Sequence, residues 1–388
     1  MKICACIAEY NPFHLGHLKH IDYMKNDLGA DKIIVLMSGN FTQRGEPAIL
    51  NKFTRAREAV IAGADMVIEL PTVFATSNAE IFAKGAIKIL DSLGVVDGIC
   101  FGVESAEKDQ LISIGAAMNN ESKEFKKALK ENLDKGLSFA KARFNAVCSV
   151  NNFDESILSK PNNILGIEYT RAILNLNSKM QIFPMKRDGD HNDSTLKKGI
   201  SSATSIRLAL KEGKKKKIKK SLPPHVYKDI NGYPFAFEKI ILSKLATTSE
   251  KDLKEILDCT EGLENRIKAL LKDNKSLDLL VEKISTKRYT QARIRRILIS
   301  NLLGIDKNLV EDSLNSPLYA KILAVSKDSK DLISLISQNS VIPLLTRKSD
   351  ESSLKKTALL TFEKDVLAND VYNIATDINT NEHNMVIV

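Results

Sequence analysis

The spacing of apolar positions divides this chain into an N-terminal part that alternates strands with helices and a C-terminal part dominated by helices. Continuous apolar runs, the pattern of buried strands, occupy residues 3–7, 32–37, 66–70, 98–103 and 180–185. Helical spacing occupies residues 16–28, 54–62, 79–93, 107–117, 164–176 and a stretch ending at 211, and a polar, lysine-rich helix is expected over 121–143. After about residue 234 nearly all the spacing is helical, over 237–245, 253–257, 263–271, 277–284, 290–303, 319–325, 332–337 and 355–369.

This order predicts an α/β protein with a mostly helical second domain. Buried strands that alternate with helices favour a parallel sheet covered on both faces and joined by right-handed crossovers. The run at 180–185 contains Pro184, which favours the sheet edge. A lysine run over 211–220, followed by Pro223 and Pro224, indicates a boundary. We therefore predict domains at residues 1–222 and 223–388.

Composition restricts the classes of protein to consider. The chain has 388 residues, 43% apolar and 27% charged, which is typical of soluble two-domain proteins. No apolar run approaches a membrane span and no signal peptide is visible, so a cytosolic protein without a membrane partner is expected. The five cysteines are scattered and form no metal motif. A net charge of +9 is a mild indication of an acidic partner.

The first candidate site follows the first predicted strand, in the stretch IAEYNPFHLGHLKH at residues 7–20. His14 and His17 fall where a helix begins, so both imidazoles project from one side of its first turn. Gly16 between them lets a ligand approach the backbone. Imidazole donors beside an open helix N-terminus suit a polyphosphate. The alternative is that these histidines only cap a helix or fill the core.

Two further loops are predicted to open onto the same crevice, because ligands bind beyond the carboxyl ends of parallel strands. The loop SGNFTQRGEP at 38–47 is long and polar, although it could be a plain surface loop. The fourth strand ends in FGVES at 101–105.

A second phosphate cradle is predicted at ISSATSIR, residues 200–207. Hydroxyl groups open a helix there, and Arg207 lies one turn further in. Hydroxyl groups of this kind often cap a helix without binding a ligand. The prediction of a phosphate site here therefore depends on the presence of HLGH in the same chain.

Basic residues near the boundary and in the second domain are candidates for binding RNA phosphates. The candidates are Lys214, Lys215, Lys216, Lys217, Arg293, Arg295 and Arg296. The alternatives are a solvated linker and an exposed basic helix.

Taken together, the motifs resemble those of a known family. HLGH and ISSATSIR are similar to the HxGH and ISSTxIR pair of the nucleotidylyltransferases, which have a Rossmann-like parallel sheet. AEYNPFHLGHLKH, SGNFTQRGEPA, DMVIELP, FGVES, PNNILGIEY, ISSATSIR and RYTQARIRR, in this order over residues 7–296, resemble the bacterial tRNA(Met) cytidine acetate ligase family. The chain departs from the general motif at Ala203, and the last ninety or so residues carry no matched motif.

The resemblance implies a function and a set of site residues. The family adenylates acetate with ATP and then acetylates N4 of the wobble cytidine of elongator tRNA(Met). With tRNA implied as the partner, we predict that the basic candidates named above grip it. By resemblance, His14 and His17 are catalytic, and Ser202, Thr204 and Arg207 hold the β- and γ-phosphates. The remaining implied ATP contacts are Ile7, Ala8, Glu9, Tyr10, Asn11, Pro12, Phe13, Leu15, Gly16, Leu18, Lys19, His20, Gly102, Asn162 (or its neighbour Asn163), Arg187 and Asp188.

The residue types agree with this chemistry, since no nucleophilic triad is apparent and direct attack on the α-phosphate needs none. Mg²⁺ is expected with ATP, although no carboxylate pair for it is visible. A small acetate pocket is expected beneath the loop Gly39–Pro47. Two other functions remain open: an adenylyltransferase acting on a small phosphate substrate, and a non-catalytic protein that binds tRNA or the ribosome.

Overall fold

A computed structural model of the protein describes residues 1–105, 107–137, 139–151, 153–158, 160–187, 201–274 and 276–388. These residues form strands β1 Ile3–Ala8, β2 Lys32–Ser38, β3 Met66–Leu70, β4 Gly98–Val103, β5 Gln181–Lys186, β6 Ala320–Val325, β7 Leu344–Leu345 and β8 Val386–Ile387.

The helices of the described residues are α1 Leu15–Asn26, α2 Lys52–Ile61, α3 Thr72–Ala75, α4 Ala79–Ser92, α5 Lys108–Asn119, α6 Lys123–Asp134, α7 Phe139–Asn151, α8 Glu155–Leu158, α9 Pro161–Asn175, α10 Ala203–Lys211, α11 Pro224–Asp229, α12 Phe237–Thr247, α13 Glu250–Lys254, α14 Leu263–Leu271, α15 Leu277–Ile284, α16 Gln291–Leu303, α17 Lys307–Asn315, α18 Asp331–Asn339 and α19 Lys356–Thr376. Short 3₁₀ helices cover Lys215–Ser221, Lys327–Ser329 and Lys348–Ser353.

The strands form one sheet in the order β5-β4-β1-β2-β3-β6-β7, and β8 also pairs with β6. β1 to β5 are parallel, and β6 joins β3 in the antiparallel direction. β1 lies between β4 and β2, so the loops after β1, β2 and β4 emerge side by side at the carboxyl edge. This is the place where open parallel sheets bind ligands. The predicted α/β fold with a parallel sheet is confirmed, and β5 lies at the sheet edge as expected.

Each face of the sheet has its own apolar core, because successive strand residues point to opposite faces. Ile34 and Leu36 of β2 pack on the face that carries α4, α5, α9 and the C-terminal helices. Ile33 and Val35 of the same strand pack with α1, α2, α10 and α11. The lysine-rich segment also joins this second core, through the buried Ile218.

Two of the predicted elements are wrong. The single helix expected over 121–143 is divided into α6 and α7; Gly136, just after α6, has the left-handed φ of +78°, which ends a helix. The helix expected over 319–325 is the strand β6. Its short apolar run is interrupted by Lys321, so its spacing resembles that of a helix, whereas Lys321 is buried within the strand. Helices α3, α8, α11 and α17 were not predicted.

The predicted boundary between residues 222 and 223 stays a prediction. Strands β6 to β8, from the C-terminal part, extend the sheet begun by the N-terminal part. Among the described residues, no helix is long and apolar enough to cross a membrane.

Candidate nucleotide site at the carboxyl edge of the sheet

The HLGH turn places two imidazoles against each other at the start of α1. His14 is the N-cap: its Nδ1 accepts a hydrogen bond from the Gly16 amide at 3.0 Å, and its own amide donates to His17 Nδ1 at 3.2 Å. The two rings stack with centroids 3.7 Å apart. Since a backbone amide can only donate, Nδ1 is the acceptor in both rings, and each neutral ring carries its proton on Nε2. The turn therefore fixes the tautomer of both histidines.

The rings of Tyr10 and Phe13 pack beneath this pair. Their centroids lie 4.8 and 5.6 Å from that of His17, and both residues are buried. The third histidine of the stretch, His20, has its Nε2 3.2 Å from the sulfur of Cys100, and burial lowers its pKa to about 4. His20 is therefore neutral at pH 7, and its ring contacts the core cysteine of β4.

The loop at 38–47 is joined to the HLGH stretch. The Gln43 amide donates to Glu9 Oε1 at 2.7 Å, and the Ile49 amide, just beyond the loop, donates to Asn11 Oδ1 at 2.8 Å. The structure thus brings this loop to the same crevice instead of leaving it on a remote surface.

Arg55, on α2, holds these segments together. Its side chain is fully buried, and it donates to the carbonyl oxygens of Leu50 at 2.9 Å, Glu9 at 2.5 Å and Ser38 at 3.1 Å, as well as to that of Gly39. Burial lowers its pKa to about 10, so the guanidinium stays charged at pH 7. Sequence patterns do not identify Arg55, because an arginine within a helix of mixed polarity is normally exposed.

The second cradle lies beside the first. Ser202 is the N-cap of α10 and accepts from the Ser205 amide at 3.1 Å. Arg207, one turn on, is buried and donates to the carbonyl oxygen of Asn11 at 2.8 Å. HLGH and ISSATSIR, far apart in the chain, therefore share one site. The Thr204 hydroxyl is buried and has no hydrogen-bond partner among the described residues, which suits it to a ligand oxygen.

A carboxylate of the 38–47 loop lies between two arginines. Glu46 is 3.6 Å from Nε of Arg207 and 3.8 Å from Nε of Arg295 on α16. Arg295 also donates to Asp278 at 2.8 Å. Burial lowers the pKa of Arg207, although Glu46 opposes this effect.

The ends of β4 and α9 form the other side of the crevice. The carboxylate of Glu104 accepts from the amides of Asn162 and Asn163, at 3.2 and 2.9 Å, and so caps α9. Asn163 is fully buried, and its side chain bonds within the protein, to the Glu104 amide at 2.9 Å and the Ile157 carbonyl at 3.0 Å. Asn162 is half-buried, and its side-chain amide donates to Glu104 Oε1 at 2.6 Å, so both asparagines have partners within the protein.

The absence of a side chain at Gly102 leaves room for the side chain of Arg187, rather than for a ligand. A Cβ there would lie 2.9 Å from Cδ and Cγ of Arg187, so these two predicted residues are in contact. Asp188 lies outside the described residues.

The basic residues expected to grip tRNA differ in exposure. Lys214, Lys216 and Lys217 are exposed, whereas Lys215 is half-buried with its ammonium 5.1 Å from the ring centre of Tyr227. Lys214 also pairs with Glu212 at 2.5 Å.

The three arginines of α16 all have partners within the protein. Arg293 donates to the carbonyl oxygen of Asp258 at 2.6 Å, and Arg296 donates to that of Gln43 at 3.3 Å. With Arg295 bound to its two carboxylates, the helix is a packed element rather than a freely exposed basic face. The role of these arginines in tRNA binding stays a prediction.

The described residues contain no preformed metal site. No group of three or more His, Cys, Asp or Glu side chains that could hold a metal occurs in the part of the chain that the structure describes.

Comparison with known proteins identifies relatives along the whole chain. The family described as "HIGH Nucleotidyl Transferase" matches residues 1–385. The tRNA(Met) cytidine acetate ligase of Caldanaerobacter subterraneus subsp. tengcongensis is 40% identical over 388 residues, covering 97% of this chain and 96% of that protein. The ligase of the same name from Clostridium botulinum (strain Langeland) is 38% identical, covering 96% and 94%.

Two solved structures have the same fold over their full length. Crystal structures of Thermotoga maritima TmcAL, in the apo form and bound with alpha-thio ATP, superpose with TM-scores of 0.94 and 0.91. Their sequence identities are 31% and 30%, and the match covers 100% of both chains in each comparison.

Proposed function

The chain belongs to the HIGH nucleotidyl transferase family, alongside the tRNA(Met) cytidine acetate ligases that it resembles over nearly its whole length. On this premise we propose that it is an ATP-dependent ligase that activates acetate as acetyl-adenylate and acetylates N4 of the wobble cytidine of elongator tRNA(Met). The observation that carries the proposal is that the HLGH turn and the ISSATSIR helix start lie side by side, connected by the hydrogen bond from Arg207 to the Asn11 carbonyl oxygen.

In the first step, a carboxylate oxygen of acetate attacks the α-phosphorus of ATP. The bond from that phosphorus to the bridging oxygen breaks, and pyrophosphate leaves with the electron pair. The residues needed are hydrogen-bond donors fixed toward the phosphates, because charge stabilisation and in-line positioning supply most of the catalysis. The Nε2–H groups of His14 and His17, the Thr204 hydroxyl and the Arg207 guanidinium are our candidates. The alpha-thio ATP bound by the Thermotoga maritima relative supports nucleotide binding by this chain.

In the second step, N4 of cytidine attacks the acyl carbon of acetyl-adenylate. The bond from the acyl carbon to the phosphate oxygen breaks, AMP leaves, and N4 loses one proton to solvent. A folded RNA must therefore reach the crevice. The exposed residues Lys214, Lys216 and Lys217 lie just after α10, whose first turn forms the second cradle. We propose that they guide the tRNA backbone to the site.

Mg²⁺ commonly enters such sites with ATP, held by the phosphates and waters and by few protein ligands. The described residues do not form a protein site for it, and we assign no step to a metal.

The acetate pocket is proposed beneath the loop at 38–47. Phe41, Thr42 and Gly45 of this loop are all buried, so a pocket formed beneath it would be enclosed by packed residues. One further methylene should be rejected by about 1–3 kcal/mol in kcat/KM. Exchange of pyrophosphate into ATP, measured with acetate, propionate and butyrate, checks this, and equal rates for acetate and butyrate would contradict it.

The whole proposal is tested with the purified chain in two assays. Acetate-dependent pyrophosphate exchange reports the first step, and mass spectrometry of nucleosides from elongator tRNA(Met) reports N4-acetylcytidine after the second. Exchange that needs a small phosphate compound instead of acetate would make the chain an adenylyltransferase. Tight tRNA binding without any exchange would make it a binding protein.

A further inference from the structure

Glu46, in the loop at 38–47, has no role in the steps proposed above, although it lies beside a predicted phosphate ligand. Its carboxylate is 3.6 Å from Nε of Arg207 and 3.8 Å from Nε of Arg295. The Glu46 side chain is 24% exposed and those of the two arginines less, so water and salt screen these pairs less than pairs at the surface. A carboxylate close to a polyphosphate site repels the ligand unless its charge is balanced. Glu46 must therefore serve another group of the site.

The backbone of the loop holds Glu46 in place. Its carbonyl oxygen accepts hydrogen bonds from the amide and the hydroxyl of Thr42, both at 3.0 Å, and Phe41 and Pro47 form a β-bridge across the base of the loop. Gly45 packs directly on α16, where a Cβ would lie 2.4 Å from the backbone of Arg295. The carboxylate is therefore attached to a fixed segment, which keeps it beside the two arginines.

The charges around Glu46 form a closed ring in which cations and carboxylates alternate. Arg207 and Lys211 lie one turn apart on α10, and Lys211 pairs with Asp278 of α15. Arg295 of α16 donates to the same Asp278 at 2.8 Å. Arg295 also faces Glu46, which closes the ring at Arg207. Three cations and two carboxylates leave one net positive charge, so the ring as a whole attracts a phosphate instead of repelling it.

Glu46 and the HLGH stretch together fix the guanidinium of Arg207. Its Nη1 donates to the Asn11 carbonyl oxygen at 2.8 Å, and its Nε faces the Glu46 carboxylate. A guanidinium is planar, so contacts at two of its nitrogens set the plane in which its remaining N–H bonds point. A side chain held in this way loses little conformational freedom when a phosphate binds.

We propose that Glu46 is a positioning residue for ATP binding, which orients the Arg207 guanidinium toward the phosphates. Arg295, with Asp278 and Lys211, balances the charge of Glu46 so that the carboxylate does not repel the nucleotide. The inference rests on the nucleotide site of the proposed function and adds a residue to it. It also connects the phosphate cradle to the C-terminal helices α15 and α16.

The first test is a double-mutant cycle read by the Kd for ATP in isothermal titration calorimetry, which requires neither acetate nor tRNA. Glu46→Gln keeps the shape of the side chain and removes its charge. It should raise the Kd by about 5- to 20-fold, within the range for coupled residues of one ion-pair network. In an Arg207→Gln background the same change should cause no further loss, because Glu46 acts through Arg207. An equal loss in both backgrounds would overturn the proposal.

The controls address folding and general effects of charge. Glu261→Gln is the matched control, since Glu261 is also paired with an arginine, Arg288, and it should leave the Kd for ATP unchanged. Urea unfolding shows whether each variant is folded. If Glu46→Gln is unfolded, Glu46→Asp takes its place with the same expectation, because the shorter side chain no longer reaches Arg207.

The second test separates positioning of Arg207 from a change in the shape of the loop. In pyrophosphate exchange, Glu46→Gln should raise the KM for ATP and leave the KM for acetate unchanged. A wild-type KM for ATP with a raised KM for acetate would contradict the inference, because Glu46 would then act on the loop that overhangs the proposed acetate pocket. If the wild-type chain shows no acetate-dependent exchange, the proposed function fails, while the calorimetric cycle still decides on Glu46.

Discussion

His14 performs two tasks that substitutions can separate. Its Nδ1 accepts the Gly16 amide hydrogen at 3.0 Å and caps α1, while its Nε2 carries the ring proton proposed to face a phosphate. His14→Asn keeps a side-chain acceptor at the N-cap, since asparagine is among the best N-cap residues, but removes the Nε2–H donor. His14→Ala removes both groups.

The two variants should differ in stability but not in activity. Loss of the cap in His14→Ala should lower the free energy of unfolding by about 0.5–2 kcal/mol, whereas His14→Asn should remain within about 0.5 kcal/mol of wild type. Loss of one transition-state donor should lower the rate of acetate-dependent exchange by about 10²–10³ in both, or about 2.7–4 kcal/mol.

The same separation applies to His17, whose Nδ1 accepts the His14 amide hydrogen at 3.2 Å. His17→Gln keeps this reciprocal cap, because glutamine commonly occupies the third position of a capping box. Its exchange rate should fall as far as that of His14→Asn.

Urea unfolding and pyrophosphate exchange on the same preparations measure both quantities. His383→Asn, a histidine paired with Glu351 in the C-terminal part, is the control for loss of an imidazole elsewhere. If His14→Asn and His17→Gln exchange pyrophosphate within a few-fold of the wild-type rate, the proposed role of the Nε2–H donors is wrong. If His14→Ala is inactive but His14→Asn is fully active, the cap alone matters.

Other predictions concern the lysine run and a buried charge network. Replacing residues 214–217 by alanine should weaken tRNA binding. It should also reduce the slope of log Kd against log salt by up to about one unit for each phosphate that is no longer neutralised, while pyrophosphate exchange stays unchanged. An unaltered slope in filter binding would show that the lysine run is only a solvated linker. Lys52→Met should lower the free energy of unfolding by about 3–5 kcal/mol in urea unfolding, because Lys52 is 1% exposed and its ammonium is the partner of the buried Glu69 carboxylate at 2.7 Å, which the substitution would leave uncompensated. The same ammonium lies 2.6 Å from the buried carboxyl group of Glu382. Burial raises the pKa of Glu382 to about 8, so the folded state binds more protons than the unfolded state between pH 4.5 and 8, and stability should fall as pH rises through that window. Glu382→Gln should flatten this dependence, by up to about 1.4 kcal/mol per pH unit, and a slope equal to that of wild type in a series of urea titrations would count against the assignment.

Local sequence patterns are sufficient to predict the two phosphate-binding motifs and the strands that present them. HLGH and ISSATSIR each combine a helix start with side chains suited to phosphate. Each motif is contained in a few consecutive residues, so it can be recognised locally. Their meeting through Arg207 and the Asn11 carbonyl depends on the strand order. The alternation of buried strands and helices predicts a parallel sheet but not this order.

Residues whose partners are distant in sequence cannot be predicted in the same way. Arg55 binds carbonyl oxygens from three separate segments, and nothing in its helix distinguishes it from a surface arginine. The sequence pattern around Arg295 indicates an exposed basic helix, whereas its charge is balanced by Glu46 and Asp278. Gly45 has the pattern of an ordinary loop residue, but a Cβ there would lie 2.4 Å from the backbone of Arg295, so the loop needs glycine to pack on α16.

The C-terminal part supports the candidate nucleotide site, and this changes how the competing functions can be told apart. The Tyr372 hydroxyl on α19 donates to the Ala48 carbonyl at 2.9 Å, and Glu382 holds Lys52 at the start of α2. Both interactions stabilise the segment that follows β2 and overhangs the site. An adenylyltransferase built on this chain would need them too, so the presence of a helical C-terminal part does not by itself favour a tRNA ligase. The decision must come from the substrate: only a dependence on acetate in the first step, followed by transfer of the acetyl group to a cytidine amine, separates the ligase from its alternatives.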